Sequence, residues 1–307
     1  MKALAEFVMR GRFQALLVSV AGAGSLLFCW ISAASIALVT LRKGAGEGGW
    51  LLLWALLPSG VLFYLYGDSG PLTLLVGTTA LALVLRGTVS LALALLASIA
   101  VGLLAGVGML AFADAYLGQV VSAFSEFLAS VEGQLAEGGE TMTLPRPTAV
   151  QVAGMLGAGT AMVCVLCLLL ARYWQAALYN PGGFGEEFRA LRYPAGVAAV
   201  LALAASAASS LGLQYRSWAT LAVLPLTFAG LALVHARAAY RGHGTAALVG
   251  FYLAWVLLDP VKILVVLVAI ADSWFDFRGR WGGRAGPPQD LSLIHISEPT
   301  RRRDSSR

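Results

Sequence analysis

ARYWQAALYNPGGFGEEFRALRYP, residues Ala171–Pro194, is the stretch that decides how this chain is read. Before it, Ala149–Leu170 is an apolar run of membrane length, and after it Ala195–Leu213 is another. Arg172, Tyr173 and Trp174 stand where the first run would leave the bilayer, as charged and aromatic anchors do at an interface. Asn180-Pro181-Gly182-Gly183 then reads as a turn, because proline fixes φ and glycine accepts conformations other residues avoid. The following residues predict one short amphipathic helix. Phe184, Phe188 and Leu191 fall on one face, and Glu186, Glu187, Arg189 and Arg192 cover the other. Such a piece lies along the headgroups or plugs a bundle from below. Two uses are open for it: an interfacial connector, or a partner-docking site built from Trp174, Asn180, Pro181, Phe184, Phe188, Arg189 and Arg192.

The rest of the chain repeats the pattern of apolar runs and short polar breaks. Charged residues are only 12% of the sequence and hydrophobic residues 59%, where a soluble domain carries about 25% charged residues. The composition is that of a membrane protein, with no stretch left over for a separate soluble domain. Gln14–Leu41 is free of charge and would be roughly 42 Å long as one helix, against a hydrocarbon core of about 30 Å. It must tilt or break, and Gly22-Ala-Gly24-Ser25 is the place to break. Trp50–Tyr66, Leu72–Leu85, Val89–Phe112, Ala149–Leu170, Ala195–Leu213 and Trp218–Val234 read as spans. The last run, Ala246–Phe275, contains Asp259-Pro260, a natural break because proline removes a backbone donor. The expected fold is all-α: a polytopic transmembrane helix bundle with six clear spans plus broken or hairpin first and last runs, about 8–10 membrane segments in all.

Asp114–Arg146 departs from this pattern. It carries Asp114, Glu126, Glu132, Glu137 and Glu140 against Arg146, and its first half predicts a surface helix followed by a loop over 137–147. If the first and last runs each cross an even number of times, the basic loops share one side. They are Lys2/Arg10/Arg12, Arg42/Lys43, Arg86, Arg172/Arg189/Arg192, Arg237/Arg241 and Arg278/Arg280/Arg284. The other side receives only Arg146 and Arg216 with the acidic helix. The positive-inside rule then puts both termini in the cytoplasm.

The net charge of +5 is partly carried by the tail, where Arg301, Arg302, Arg303 and Arg307 outweigh Glu298 and Asp304. LSLIHISEPTR, Leu291–Arg301, resembles the translation of a transposon-type sequencing adapter. That resemblance divides the chain into one integral-membrane domain, residues 1–290, and a non-native tail, residues 291–307, with the native C-terminus truncated near Asp290. The basic residues follow the loops instead of forming a nucleic-acid patch. No cleavable signal peptide is expected, because the first apolar run is too long.

Charges at membrane depth are the candidates for chemistry. Asp259 and Lys262 stand at i and i+3 inside the last apolar run and can meet on one helical face. They read either as a self-neutralising pair or as a substrate or proton site. Asp272, Trp274, Asp276 and Arg278 gather where that run leaves the membrane and read as an interfacial cap or contact patch. Cys164 and Cys167 have the spacing of a redox pair, but they and Cys29 lie within apolar runs and are read as core packing. Gly102-x-x-x-Gly106, Gly154-x-x-Gly157-x-Gly159 and Ala204–Ser210 are small-residue segments suited to close helix packing. His235 and His243 lack carboxylate partners, and no catalytic, metal or cofactor motif is present. Neither an enzyme nor a cofactor is implied.

The central stretch, with the closing ADSWFDFRGR (Ala271–Arg280), resembles the YybS-like family of predicted bacterial inner-membrane proteins, a family of unknown function. That family is distantly similar to the substrate-binding S components of energy-coupling-factor vitamin transporters. S components dock a membrane coupling partner through an Ala-x-x-x-Ala, which Ala33-x-x-x-Ala37 matches in spacing. The resemblance implies a small-molecule ligand held between helices, a coupling partner, and residence in the bacterial inner membrane. The competing expectation is a non-transport scaffold that recruits partners through the amphipathic connector or the acidic helix.

Overall fold

Glycine and proline set the breaks between helices. The computed structural model describes residues 2–139, 142–242 and 244–282; the tail at 291–307 and His243 lie outside them. The amphipathic lead is α1 (Lys2–Arg10), and Gly11, in extended backbone, separates it from α2 (Arg12–Ala23). The first apolar run then breaks over 24–28, at the predicted glycines, and continues as α3 (Cys29–Lys43). The Ser32 hydroxyl donates to the carbonyl of Ser19, and Arg12 pairs with Glu47 at the start of α4 (Ala45–Tyr66). The helices α2 and α3 are therefore a hairpin that begins and ends at one end of the bundle.

α3 is the buried centre. Ala33, Ala34, Ile36, Ala37 and Leu38 are all fully buried, because small side chains alternate with branched ones and let neighbours close in on every side. α5 (Gly70–Thr88) runs parallel to it. The Cys29 sulfur approaches the Pro71 carbonyl at one end, and Arg86 donates to the Leu41 carbonyl at 2.6 Å at the other. That last bond satisfies a C-terminal helix carbonyl with a cation, as the helix dipole favours. Ala33 and Ala37 are thus interior residues, and the Ala-x-x-x-Ala expected to dock a coupling partner is closed to any partner.

α6 (Leu91–Phe112) and α8 (Ala149–Tyr179) cross where glycines leave room. A Cβ on Gly157 would stand 2.5 Å from the carbonyl oxygen of Gly102 and 3.2 Å from the Cα of Gly106. The packing expected of these two motifs is present. The third small-residue segment behaves differently: on α10 (Ala195–Ser210), Ala204, Ser206, Ala207, Ser209 and Ser210 are exposed. The Ser206 and Ser209 hydroxyls bond back to carbonyls four residues earlier, so they need no neighbouring helix.

The acidic segment forms α7 (Asp114–Glu137), of which only Leu117 is fully buried, against Val152 and Ala153 of α8. Glu132 accepts the Leu144 backbone N–H at 2.6 Å and pairs with Arg146 at 2.6 Å, closing the acidic loop back onto the helix. The N–H of Leu144 and the cation of Arg146 hold that carboxyl below the usual range. After α8 come α9 (Gly183–Ala190), α10, a 3₁₀ turn at Leu213–Tyr215, and α11 (Arg216–Arg241). The last run divides at Leu258 into α12 (Gly244–Leu257) and α13 (Asp259–Phe275), bent by 114°, and ends in α14 (Phe277–Gly282). Val265 of α13 lies on Gly230 of α11, and the end of α13 returns to the level of Arg189. This is a second hairpin, entering and leaving at the same end as the first.

Among the described residues, five helices are long and apolar enough to cross a membrane, or up to seven if each bent pair, α9–α10 and α12–α13, counts as one span. The chain is an all-α, multi-pass membrane bundle.

Candidate functional site

The two stretches that distinguish this sequence meet at one end of the bundle. Gly182, with φ of 91°, makes the predicted turn out of α8. α9 then lays Phe184 and Phe188 inward, stacked 6.0 Å apart, and Leu191, just past the helix, is buried. The apolar face of the connector is turned into its own bundle instead of lying free for headgroups or a partner. Tyr193 is buried and donates to the Ala92 carbonyl at 3.2 Å, pinning the connector to the start of α6.

From the other side comes the end of α13. Asp276 takes a left-handed conformation, φ 43°, and turns the chain so that Arg278 reaches back. Arg278 donates to the carbonyls of Arg189 and Leu191, and its guanidinium stands 3.4 Å from the Asp272 carboxylate. Asp272 also accepts the Phe277 N–H at 2.9 Å and is buried. Burial lowers the proton affinity of Arg278 below that of a free guanidinium, and Asp272 works in the opposite direction. Arg192 pairs with Asp276 at 2.6 Å nearer the surface. Asp272, Asp276 and Arg278, expected as an interfacial cap or contact patch, are thus engaged within the chain, with Arg192 of the connector and the Arg189 carbonyl as partners, in a clasp between the connector and the end of α13. Trp274 remains exposed beside it.

Trp174 departs from its expected place. α8 does not stop at Leu170 but continues to Tyr179, so Arg172, Tyr173 and Trp174 lie within a helix of 31 residues. Trp174 has no exposed surface; it faces the bundle and is neither an interfacial anchor nor a docking residue. Asn180 caps the helix end and Pro181 is exposed.

Beneath α9, a cavity of about 610 Å³ opens between α8, α9, α11 and α12. Its walls include Met162, Leu166, Leu169, Phe184, Phe188, Phe228, Leu231 and Trp255, with Thr227, His235, Tyr252 and Arg189 as its polar groups. His235 Nε2 and the Tyr252 hydroxyl are 2.8 Å apart, and the edge of the His235 ring meets Phe188 at 5.5 Å between centroids. The indole N–H of Trp255 is shielded from solvent and has no hydrogen-bond partner. An apolar, aromatic chamber with a few convergent polar groups is the common form of a small-molecule site. Of its residues, sequence reasoning singled out Phe184, Phe188 and Arg189. It missed Phe228, Tyr252 and Trp255, which in sequence are apolar-run residues like any other, and set His235 aside for want of a carboxylate.

The outer side of α9 faces a different space. A polar cleft of about 630 Å³ is bounded by Arg86, Arg172, Gln175, Asn180, Glu186 and Glu187, with Arg172 and Glu187 paired at 2.7 Å. Asp259 and Lys262 meet at 2.7 Å at the apex of the second hairpin and line neither cavity. Cys29, Cys164 and Cys167 are buried and free. Among the described residues, no three His, Cys, Asp or Glu side chains stand together as a metal site would require.

These features define a multi-pass helical membrane protein with an aromatic chamber at its basic end. In comparisons with known proteins, no family model, curated protein or solved structure matches the chain.

Proposed function

We propose that this protein is a small-molecule-binding subunit of a bacterial inner-membrane transport system, a binding protein and not an enzyme. The carrying observation is the aromatic chamber under α9. Its volume lies within the roughly 300–1,000 Å³ usual for ligand sites. Its lining suits a ligand with a flat apolar body, and Arg189, Thr227 and His235 supply the polar contacts that orient it. The reading agrees with the resemblance to YybS-like proteins and, more distantly, to S components. With Ala33 and Ala37 interior, a coupling partner would have to engage another surface.

The test is mass spectrometry of small molecules extracted from protein purified in mild detergent. A reproducible ligand is expected with the unaltered chain and at least a tenfold loss of it with Trp255→Ala. Repeated preparations without any bound small molecule would sink the proposal.

The polar cleft favours a second reading, a scaffold that receives a partner's charged segment between Arg86 and Glu186 at the basic end. Under that reading Glu186→Ala releases a copurifying protein while the aromatic chamber holds nothing.

A further inference from the structure

The apex of the second hairpin places two charges where a lone protein in lipid should have none. α12 has 14 residues, so the apex lies at most about 21 Å along the helix from Gly244, short of the roughly 30 Å hydrocarbon thickness. The basic residues Arg237 and Arg241 precede that helix and mark the interface from which it departs. Asp259 and Lys262 are nevertheless open, with 87% and 44% of their side-chain surfaces exposed. Leu257, Leu258 and Ile263 around them are exposed as well. The opposite face of α13 is already occupied, where Val265 sits on Gly230 of α11. The charges thus point away from the bundle on an otherwise apolar surface.

The bond between them does not complete their chemistry. The ammonium has three donors and the carboxylate about four acceptor positions, and their mutual contact uses one of each. Unsatisfied charged groups in hydrocarbon are costly, and they persist where a protein or aqueous partner meets them. Whatever covers this patch must offer both an acceptor and a donor at the same spacing. A lipid phosphate offers acceptors alone and belongs at the headgroup level. A second copy of the same apex, turned by a two-fold axis, brings Lys262 to Asp259 and Asp259 to Lys262, since an isologous interface requires a self-complementary patch.

We infer that the protein forms a two-fold homodimer through the α12–α13 apex, with each Asp259–Lys262 pair completed by the pair of the other copy. The experiment is cysteine crosslinking of the full chain in native membranes. Leu258→Cys lies beside the pair, and the buried native cysteines make the unaltered chain a clean control. Leu258→Cys is expected to give a disulfide-linked dimer on mild oxidation. Adding Asp259→Lys, which leaves two positive charges, should reduce that dimer at least tenfold, as should Lys262→Asp, which leaves two negative ones. Coexpression of these two variants should restore crosslinking between them, and the exchange of both charges within one chain should retain it. The restoration arm requires both variants to be folded, so it separates lost complementarity from lost structure. A Leu258→Cys chain that never crosslinks would overturn the homodimer in favour of another occupant. Crosslinking indifferent to both charge inversions would overturn the role given to the pair.

Discussion

Two ion pairs a few residues apart show how differently one motif can spend its charges. Arg192 and Asp276 are 42% and 52% exposed; exposed pairs of this kind contribute about 0–1 kcal/mol. Arg278 and Asp272 are 15% and 3% exposed, and Arg278 also serves two backbone carbonyls. Removing one partner of a buried pair costs about 3–5 kcal/mol, because the other charge is left uncompensated. Arg278→Met should therefore lower the thermal stability of the detergent-solubilised protein sharply, and Arg192→Ala should barely move it. Arg278→Lys should fall between them, since one ammonium cannot repeat the planar fork that spans Asp272 and the carbonyls of Arg189 and Leu191. Equal losses for Arg192→Ala and Arg278→Met would show that the clasp does not organise this end. The sequence gathers Asp272, Asp276 and Arg278 near a membrane exit. That they grip the connector nearly ninety residues earlier was hidden, because charge near an interface looks the same whether it faces a partner or its own backbone.

At the scale of the helix, breaks were easier to read than ends. Gly22–Ser25 and Asp259-Pro260 announce themselves through backbone chemistry, and the structure breaks at both places. The end of α8 was not legible from hydropathy, since Gln175-Ala-Ala-Leu178 keeps a helix going after the apolar run has stopped, and a helix need not end where the membrane does. Trp174 was misplaced for that reason. The same logic explains Ala204–Ser210: small residues permit close packing but do not compel it, and here they face outward. Where they do pack, the consequence is sharp. Gly157 faces backbone atoms of Gly102 and Gly106, which cannot swing aside as a side-chain tip could. Gly157→Ala should force α6 and α8 apart, at about 1–3 kcal/mol for overpacking. Gly159→Ala, which meets nothing within 4 Å, should be neutral or slightly stabilising because alanine is the better helix former. The difference in melting temperature between the two variants checks the crossing.

For the whole molecule, the two hairpins decide the arrangement of charge. Because α2–α3 and α12–α13 each return to the end they started from, Arg12, Arg42, Arg86, Arg172, Arg192 and Arg278 collect at that end. This is visible in the pairing of Arg12 with Glu47, of Arg86 with the Leu41 carbonyl, and in the stacking of Arg42 on Tyr179 at 4.1 Å. The acidic α7 stands at the opposite end, on the first turns of α8. A translocation machinery that retains basic loops should leave the first end in the cytoplasm. Single cysteines can test this without disturbing the fold if they replace glycines in open space at ordinary helical φ. Gly87 and Gly244 meet nothing within 4 Å and mark the basic end, and Gly133 does the same on α7. Gly44 and Gly242 are unsuitable, since their positive φ would strain any side chain. In intact spheroplasts, a membrane-impermeant maleimide should label Gly133→Cys and spare Gly87→Cys and Gly244→Cys until the membrane is opened. The native thiols are buried and should stay silent throughout. Labelling of Gly87→Cys from outside would invert the molecule, and discordant labelling of Gly87→Cys and Gly244→Cys would mean that the helices between them, α6 to α11, cross the membrane an odd number of times.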